Sequence, residues 1–261
     1  MKIYEYYRAT ANLNLNGSIA SLIPSAIIVA LNLSFFQNKE IMLLTIPFLA
    51  FSLISFQIYL FRKRQSICIG KNMVHSIHHF HSFFEAKQLL VVYLNTQSPK
   101  VLLFFPDGHL AGKIKRFRKK KTFIWKQSKN FVLVDYKDRV MGYFEVKGKE
   151  KRRIEVFDSK YRNIGCFEKR KAGWRKYKKE LLDETGRFIG AVKGSSLFMD
   201  EFVLDSLKRP VGRLRRGWMP LEWSKFFPEA NTPVLTLSET LNEKDKLLRI
   251  SFLINEFFIE R

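Results

Sequence analysis

Residues 41–61 read IMLLTIPFLAFSLISFQIYLF, uncharged and broken only by Thr45, Ser52, Ser55 and Gln57, and the run ends abruptly in Arg62, Lys63 and Arg64. At about 1.5 Å per residue, one helix of this length covers a hydrocarbon core of roughly 30 Å. A buried core helix is the competing reading, but such helices rarely run this long without a charge, and in lipid a helix satisfies its own backbone groups. A weaker run, residues 19–36, precedes it; Pro24 and Asn32 interrupt it, yet it too is uncharged. Only four residues separate the runs. The pattern predicts an 18-residue N-terminal tail and then a transmembrane helical hairpin with spans 19–36 and 41–61. A re-entrant first segment is the alternative.

Residues 62–88 form a basic, histidine-rich juxtamembrane stretch. Met73, Ile77, Phe80 and Phe84 fall at i, i+4, i+7 and i+11, one face of a helix expected to start at an Asn72 cap and to run towards Gln88. Four of the five histidines lie here: His75, His78, His79 and His81. His75 and His79 are spaced to share a metal, but three or four convergent ligands are needed and residues 72–88 supply no Cys and only Glu85. An interfacial helix with hydrated imidazoles is the plainer expectation, so no metal and no cofactor is assigned.

From residue 89 the pattern changes to short apolar or alternating runs, which suit strands, such as residues 89–93 and 234–237. Within it the chain repeats. LVDYKDRVMG (133–142), VFDSKYRNIG (156–165), LLDETGRFIG (181–190) and VLDSLKRPVG (203–212) each place two apolar residues before an Asp, an Arg four later and a Gly seven later. A shortened copy, FFPDGHLAG (104–112), keeps Asp107 and Gly112 without the Arg. Asp135, Asp158, Asp183 and Asp205 suit turn formation, because their side chains accept from backbone two residues on. The Gly opens the return strand, where a missing side chain allows a bulge or close strand approach. Five such hairpins with flanking strands give ten to twelve antiparallel strands, a number that closes into a barrel rather than leaving edges open. The segment ETLNEKDKLLRISFLINEFFIER then reads as a helix over about 243–258, capped by Asn242 or Ser238 and apolar nearly all round, as an interior helix is. Arg249, Asn255 and Glu256 argue against a third span.

Hairpins of the form apolar-apolar-Asp-x3-Arg-x-apolar-Gly followed by a hydrophobic helix resemble the tubby C-terminal-like superfamily, which includes the LURP-one-related proteins and the phospholipid scramblases. The resemblance covers roughly residues 89–261. It implies a roughly twelve-stranded antiparallel barrel around a central helix and, in some members, binding of phosphoinositides or other membrane lipids. No lipid-binding residue of that family maps onto this chain residue by residue.

Charge adds a partner class. The chain carries a formal +22; residues 1–65 hold six basic and two acidic side chains, leaving 40 basic and 22 acidic for the remainder. Lys2 and Arg8 precede the first span and Arg62, Lys63 and Arg64 flank the second, so the positive-inside rule places both termini in the cytoplasm of a multi-pass cell-membrane protein. Basic residues bunch at Lys113, Lys115, Arg116, Arg118, Lys119, Lys120, Lys121, Lys126 and Lys129, at Lys169, Arg170, Lys171, Arg175, Lys176, Lys178 and Lys179, and at Lys208, Arg209, Arg213, Arg215 and Arg216, all expected in or beside connections between strands. Phe117, Phe123, Trp125, Trp174, Trp218 and Trp223 lie among them. These clusters are the candidate anionic-lipid or phosphate site, since each Lys or Arg near an anionic leaflet contributes about 1 kcal/mol. Nucleic acid is the rival partner, without an RNP, KH or zinc-finger pattern to support it; scramblase-like transport and a merely solvated basic surface are the others. Cys68 and Cys166 show no framework spacing and fit a reducing compartment, and no cleavable signal peptide is apparent. No GxSxG, Walker, GxGxxG or HExxH pattern occurs, so a non-enzymatic role is expected.

Overall fold

In a computed structural model the described residues are 1–74, 82–117, 129–148, 152–173, 176–195 and 200–260. They form two compact units, Lys2–Ser76 and Ile77–Arg261, the latter joined by Met1.

The first unit is an antiparallel pair of long helices, α1 (Ile3–Leu31) continuing into a π-helical turn at Asn32–Phe36, and α3 (Ile46–Met73) preceded by the short α2 (Lys39–Leu43). Both helical stretches are long and apolar enough to cross a membrane. Their large side chains face outward: Leu33, Phe35, Leu53 and Ile54 are mostly exposed. The buried seam is instead small and polar. Ser52 Oγ lies 3.0 Å from Ser18 Oγ and donates to the Ser18 carbonyl at 3.1 Å, and Ser66 Oγ donates to the Tyr4 carbonyl at 2.8 Å. Apolar side chains gain nothing from each other over lipid, so close approach of small residues and inter-helix hydrogen bonds hold such a pair. Asn32, a weak point of the first run in sequence, braces the corner: its Oδ1 accepts from the Asn38 N–H at 3.0 Å while Gln37 turns at φ 44° and Asn38 caps α2.

The helices outrun the predicted spans at both ends. The tail, residues 1–18, is mostly helix, and α3 runs through Arg62–Arg64 to Met73. Asn72 therefore sits inside the last turn of α3 and starts no new helix. Residues 82–88 do not continue one either. Ser82 opens a 3-10 turn, Phe83–Glu85, and β1 begins at Gln88. Of the four periodic apolar residues, Met73 lies on α3 and Phe84 in the 3-10 turn, while Ile77 and Phe80 lie outside the described residues. His75, His78, His79 and His81 lie outside the described residues.

The second unit is a closed antiparallel barrel of twelve strands: β1 (Gln88–Leu94), β2 (Lys100–Phe104), β3 (Leu110–Phe117), β4 (Lys129–Asp135), β5 (Val140–Lys147), β6 (Arg152–Asp158), β7 (Asn163–Gly173), β8 (Lys176–Leu182), β9 (Phe188–Ser195), β10 (Asp200–Asp205), β11 (Pro210–Arg215) and β12 (Val234–Leu237). Neighbours in sequence pair throughout, and β1 closes the ring on β12. The repeat is the hairpin unit. In each full copy the Asp N–H donates to the Arg carbonyl at 2.9–3.0 Å, and its Oδ1 accepts from the N–H groups two and four residues on. The residue three after the Asp takes positive φ: Asp138, Tyr161, Gly186 and Lys208. Each return strand then carries a register shift against its partner. The shortened copy obeys the same geometry with Phe105 in the Asp position, since its N–H donates to the His109 carbonyl and Gly108 takes the positive φ. Asp107 thus sits two places along from the other turn aspartates, and His109 stands where they have Arg.

The repeated Gly is a close-approach residue. A Cβ at Gly142 would lie 2.9 Å from the Phe157 carbonyl oxygen and 2.5 Å from the Leu247 side chain. Leu247 belongs to the terminal helix: α4 (Glu243–Ile250), a break at Ser251, α5 (Phe252–Ile254) and a π-helical turn, Asn255–Ile259. Asn242 is the cap, accepting from the Asp245 N–H at 2.8 Å. Leu247, Leu248, Ile250, Phe252, Leu253, Ile254 and Phe257 are buried in one core to which all twelve strands contribute.

Candidate functional site

Strand direction sorts the barrel's connections. The five repeat turns, after β2, β4, β6, β8 and β10, all lie at one end, because each joins strands of the same two directions. Phe117, Lys171, Tyr177 and Arg215 stand at strand ends on the other side, and residues 216–233 link β11 to β12 there. Arg116, Phe117, Lys171, Tyr177, Arg216, Trp218 and Leu221 are all exposed at that second end, Trp218 at 67% and Leu221 at 87%. The Arg215 guanidinium stacks 3.5 Å above the Trp218 ring.

The sequence-assigned cations divide into engaged and open groups. Among the described residues, Lys113, Lys115, Arg116, Lys169, Arg170, Lys171, Arg213 and Arg215 lie on strands, and Lys208, Arg209 and Arg216 lie in the connections. Lys113 and Lys115 both point at Asp138, at 2.8 and 3.6 Å. Arg170 pairs with Glu180 at 2.8 Å. Lys169 is nearly buried, ion-paired with Glu260 and placed 4.3 Å over the Tyr177 ring. Arg209 and Arg213 are taken by Asp205 and Asp200. Arg116, Lys171 and Arg216 remain as exposed cations at the second end. Arg118, Lys119, Lys120, Lys121, Phe123, Trp125 and Trp174 lie outside the described residues. Arg62, Lys63 and Arg64 stand on α3, with Arg62 6.0 Å over the Tyr7 ring.

The polar groups of the turn end act as structural pairs. Lys113 hydrogen-bonds Asp138 and holds its carboxyl below the usual range. At Asp158 and Asp205 burial works against the charge, but the following Arg, through its N–H and its guanidinium, outweighs it and the carboxyl is again lowered. Asp183 is lowered chiefly by the Thr185 hydroxyl.

A feature the sequence did not reveal is a buried ionic cluster where the terminal helix meets β7, β8 and β10. The Lys179 ammonium sits between Glu201 and Glu256, 2.8 Å from the latter. Desolvation opposes its charge, and the two carboxylates overcome it, raising its pKa above the ordinary lysine value. Asn255 Nδ2 donates to Glu256 at 2.8 Å and Glu260 at 2.7 Å, and Arg152 donates to Asn255 Oδ1 at 3.0 Å. Among the described residues, three cations (Lys179, Lys169, Arg152) balance three carboxylates (Glu201, Glu256, Glu260), and the cluster fastens the helix to the strands. Only the facing strand register could have exposed it. Among the described residues no three His, Cys, Asp or Glu side chains converge as a metal site.

The class defined is a two-helix apolar hairpin joined to a closed twelve-stranded antiparallel barrel with a core-buried terminal helix. No family model and no curated protein matches the chain. Among solved structures, the crystal structure of a protein from Arabidopsis thaliana is similar, at 14% sequence identity and a TM-score of 0.44, covering 68% of this chain and 95% of that one.

Proposed function

We propose that this is a non-enzymatic membrane protein whose hairpin spans the bilayer with both termini cytoplasmic, and whose barrel is a tubby-like, LURP-one-related domain that binds anionic lipid headgroups. One observation carries the lipid reading. The barrel end away from the repeat turns carries exposed cations, Arg116, Lys171 and Arg216, and exposed amphipathic or apolar side chains, Tyr177, Trp218 and Leu221, distributed around its rim. Cations meet phosphate, while Trp and Tyr rings suit headgroup depth. The twelve-stranded closure and the core-buried helix support the tubby-like reading, as the turn repeat does in sequence.

The test is sedimentation of residues 77–261 with vesicles of phosphatidylcholine alone or with phosphatidylserine, at several salt concentrations and with RNA as competitor. Binding to anionic vesicles alone, weakened by salt and resistant to RNA, is expected. Replacing Arg116, Lys171 and Arg216 with Gln is expected to weaken it by roughly a hundredfold, at about 1 kcal/mol per cation. Loss of pelleting to RNA instead would favour the nucleic-acid reading.

A further inference from the structure

The helical hairpin contains a groove that the barrel reading leaves unused. It measures about 500 Å3 and is lined by Tyr4, Arg8, Ala11 and Asn12 on α1 and by Tyr59, Lys63, Ser66, Ile67 and Gly70 on α3. The spacings i, i+4, i+7, i+8 on α1 and the matching series on α3 place these side chains on one face of each helix. The Ser66–Tyr4 and Ser52–Ser18 hydrogen bonds share one antiparallel register, which brings Arg8 within one residue of level with Lys63 and Asn12 within one residue of level with Tyr59. Small residues make the space: Ala11 is buried, and Gly70 lies under the Tyr4 ring, 3.9 Å from where a Cβ would be.

The lining is cationic and donor-rich. It holds the Arg8 guanidinium, the Lys63 ammonium, the Asn12 amide and two phenols, and no carboxylate. Lys63 Nζ is set by a 3.0 Å hydrogen bond to the Tyr59 hydroxyl. Depth matters as well. The apolar run ends at Phe61, and Arg62 to Ile67 rise about 8 Å beyond it, the thickness of one headgroup layer, roughly 5–8 Å. Along the same two helix faces, in the other direction, the exposed side chains become Ile19 and Leu22 on α1 and Phe56 and Leu49 on α3, all apolar. A cationic groove with room for a phospholipid headgroup thus continues into an apolar track.

We propose that this groove is a specific site for one anionic phospholipid, its phosphate held between Arg8 and Lys63, its headgroup hydrogen-bonded by Asn12 and Tyr59, and its acyl chains laid along Ile19, Leu22, Phe56 and Leu49. The site is independent of the barrel surface and stands or falls without it.

Native mass spectrometry of the full chain in neutral detergent counts tightly retained lipids directly. Titration with phosphatidylglycerol is expected to fill one site that phosphatidylcholine does not fill. Arg8→Gln with Lys63→Gln is expected to weaken that site by roughly thirtyfold, two cations' worth. Ile67→Trp, which fills the groove and leaves every charge in place, is expected to abolish it, guarding against a charge variant that merely misfolds. The triple Gln variant at Arg116, Lys171 and Arg216 is expected to leave it intact. Equal retention by wild type and both groove variants, sensitivity to the barrel variant instead, or displacement by water-soluble glycerophosphate at matched concentration would each overturn the proposal.

Discussion

At Gly165 the backbone holds φ 137°, and a Cβ would lie 2.2 Å from the Leu182 carbonyl oxygen and 3.0 Å from the Leu248 side chain. At Gly186, in the turn after β8, φ is 83° and nothing lies within 4 Å. The two glycines therefore fail differently. Gly165→Ala must move the neighbouring strand backbone and shift the Leu248 side chain as well as adopt a rare conformation, and is expected to cost about 3 kcal/mol. Gly186→Ala bears only the left-handed conformation, about 1 kcal/mol. Urea unfolding of residues 77–261 measures both, and equal losses would remove close approach as the reason for the repeated Gly. The Asp, Arg and Gly positions were legible in sequence because turn chemistry is local. The shortened copy was misaligned there, because Phe105 takes the Asp position by backbone hydrogen bonding alone, which leaves no mark in residue type.

The terminal helix shows the same division at the level of an element. Its cap at Asn242, its apolar Leu247–Phe257 stretch and its burial all follow from residue pattern. What holds its far end does not: Lys179 read as one of a run of surface cations, and only pairing with β10 and the π-helical turn makes it the centre of a buried cluster. Removing one partner from such a cluster leaves an uncompensated buried charge. Lys179→Ala is expected to cost about 3–5 kcal/mol, whereas joint replacement of Lys179, Glu201 and Glu256 by Met, Leu and Leu is expected to be near neutral. Thermal unfolding of the two variants decides it, and a triple variant worse than the single one would mean the cluster contributes net stability. Of the juxtamembrane helix expected from Asn72 to Gln88, residues 82–88 instead form a 3-10 turn and the start of β1, a local change that apolar periodicity does not register.

For the molecule as a whole, charge placement sets the pH window. Asp138, Asp158, Asp183, Asp200 and Asp205 all have folded-state values below their ordinary ones. Groups lowered on folding contribute stability that is complete above the unfolded value and is lost as pH falls through the folded one. Lys179 is raised, so its share is complete below the unfolded lysine value and is lost only as pH climbs through the higher folded one. Unfolding of the barrel unit is therefore expected to show a stability plateau from about pH 5 to pH 10, falling below about pH 4 as the turns protonate; loss of stability between pH 5 and pH 8 would contradict it. The twelve strands and the two apolar helices were legible in the sequence, while the sorting of cations into engaged and open was not, since pairing depends on which strand faces which. One further consequence follows from the helix that all twelve strands share. It is encoded after every one of them, so a ribosome delivers the strands before the helix whose side chains complete their core. Until it emerges the nascent strands lack part of that core, and their edges stay open to mispairing. For this chain, the order of manufacture runs opposite to the order of dependence.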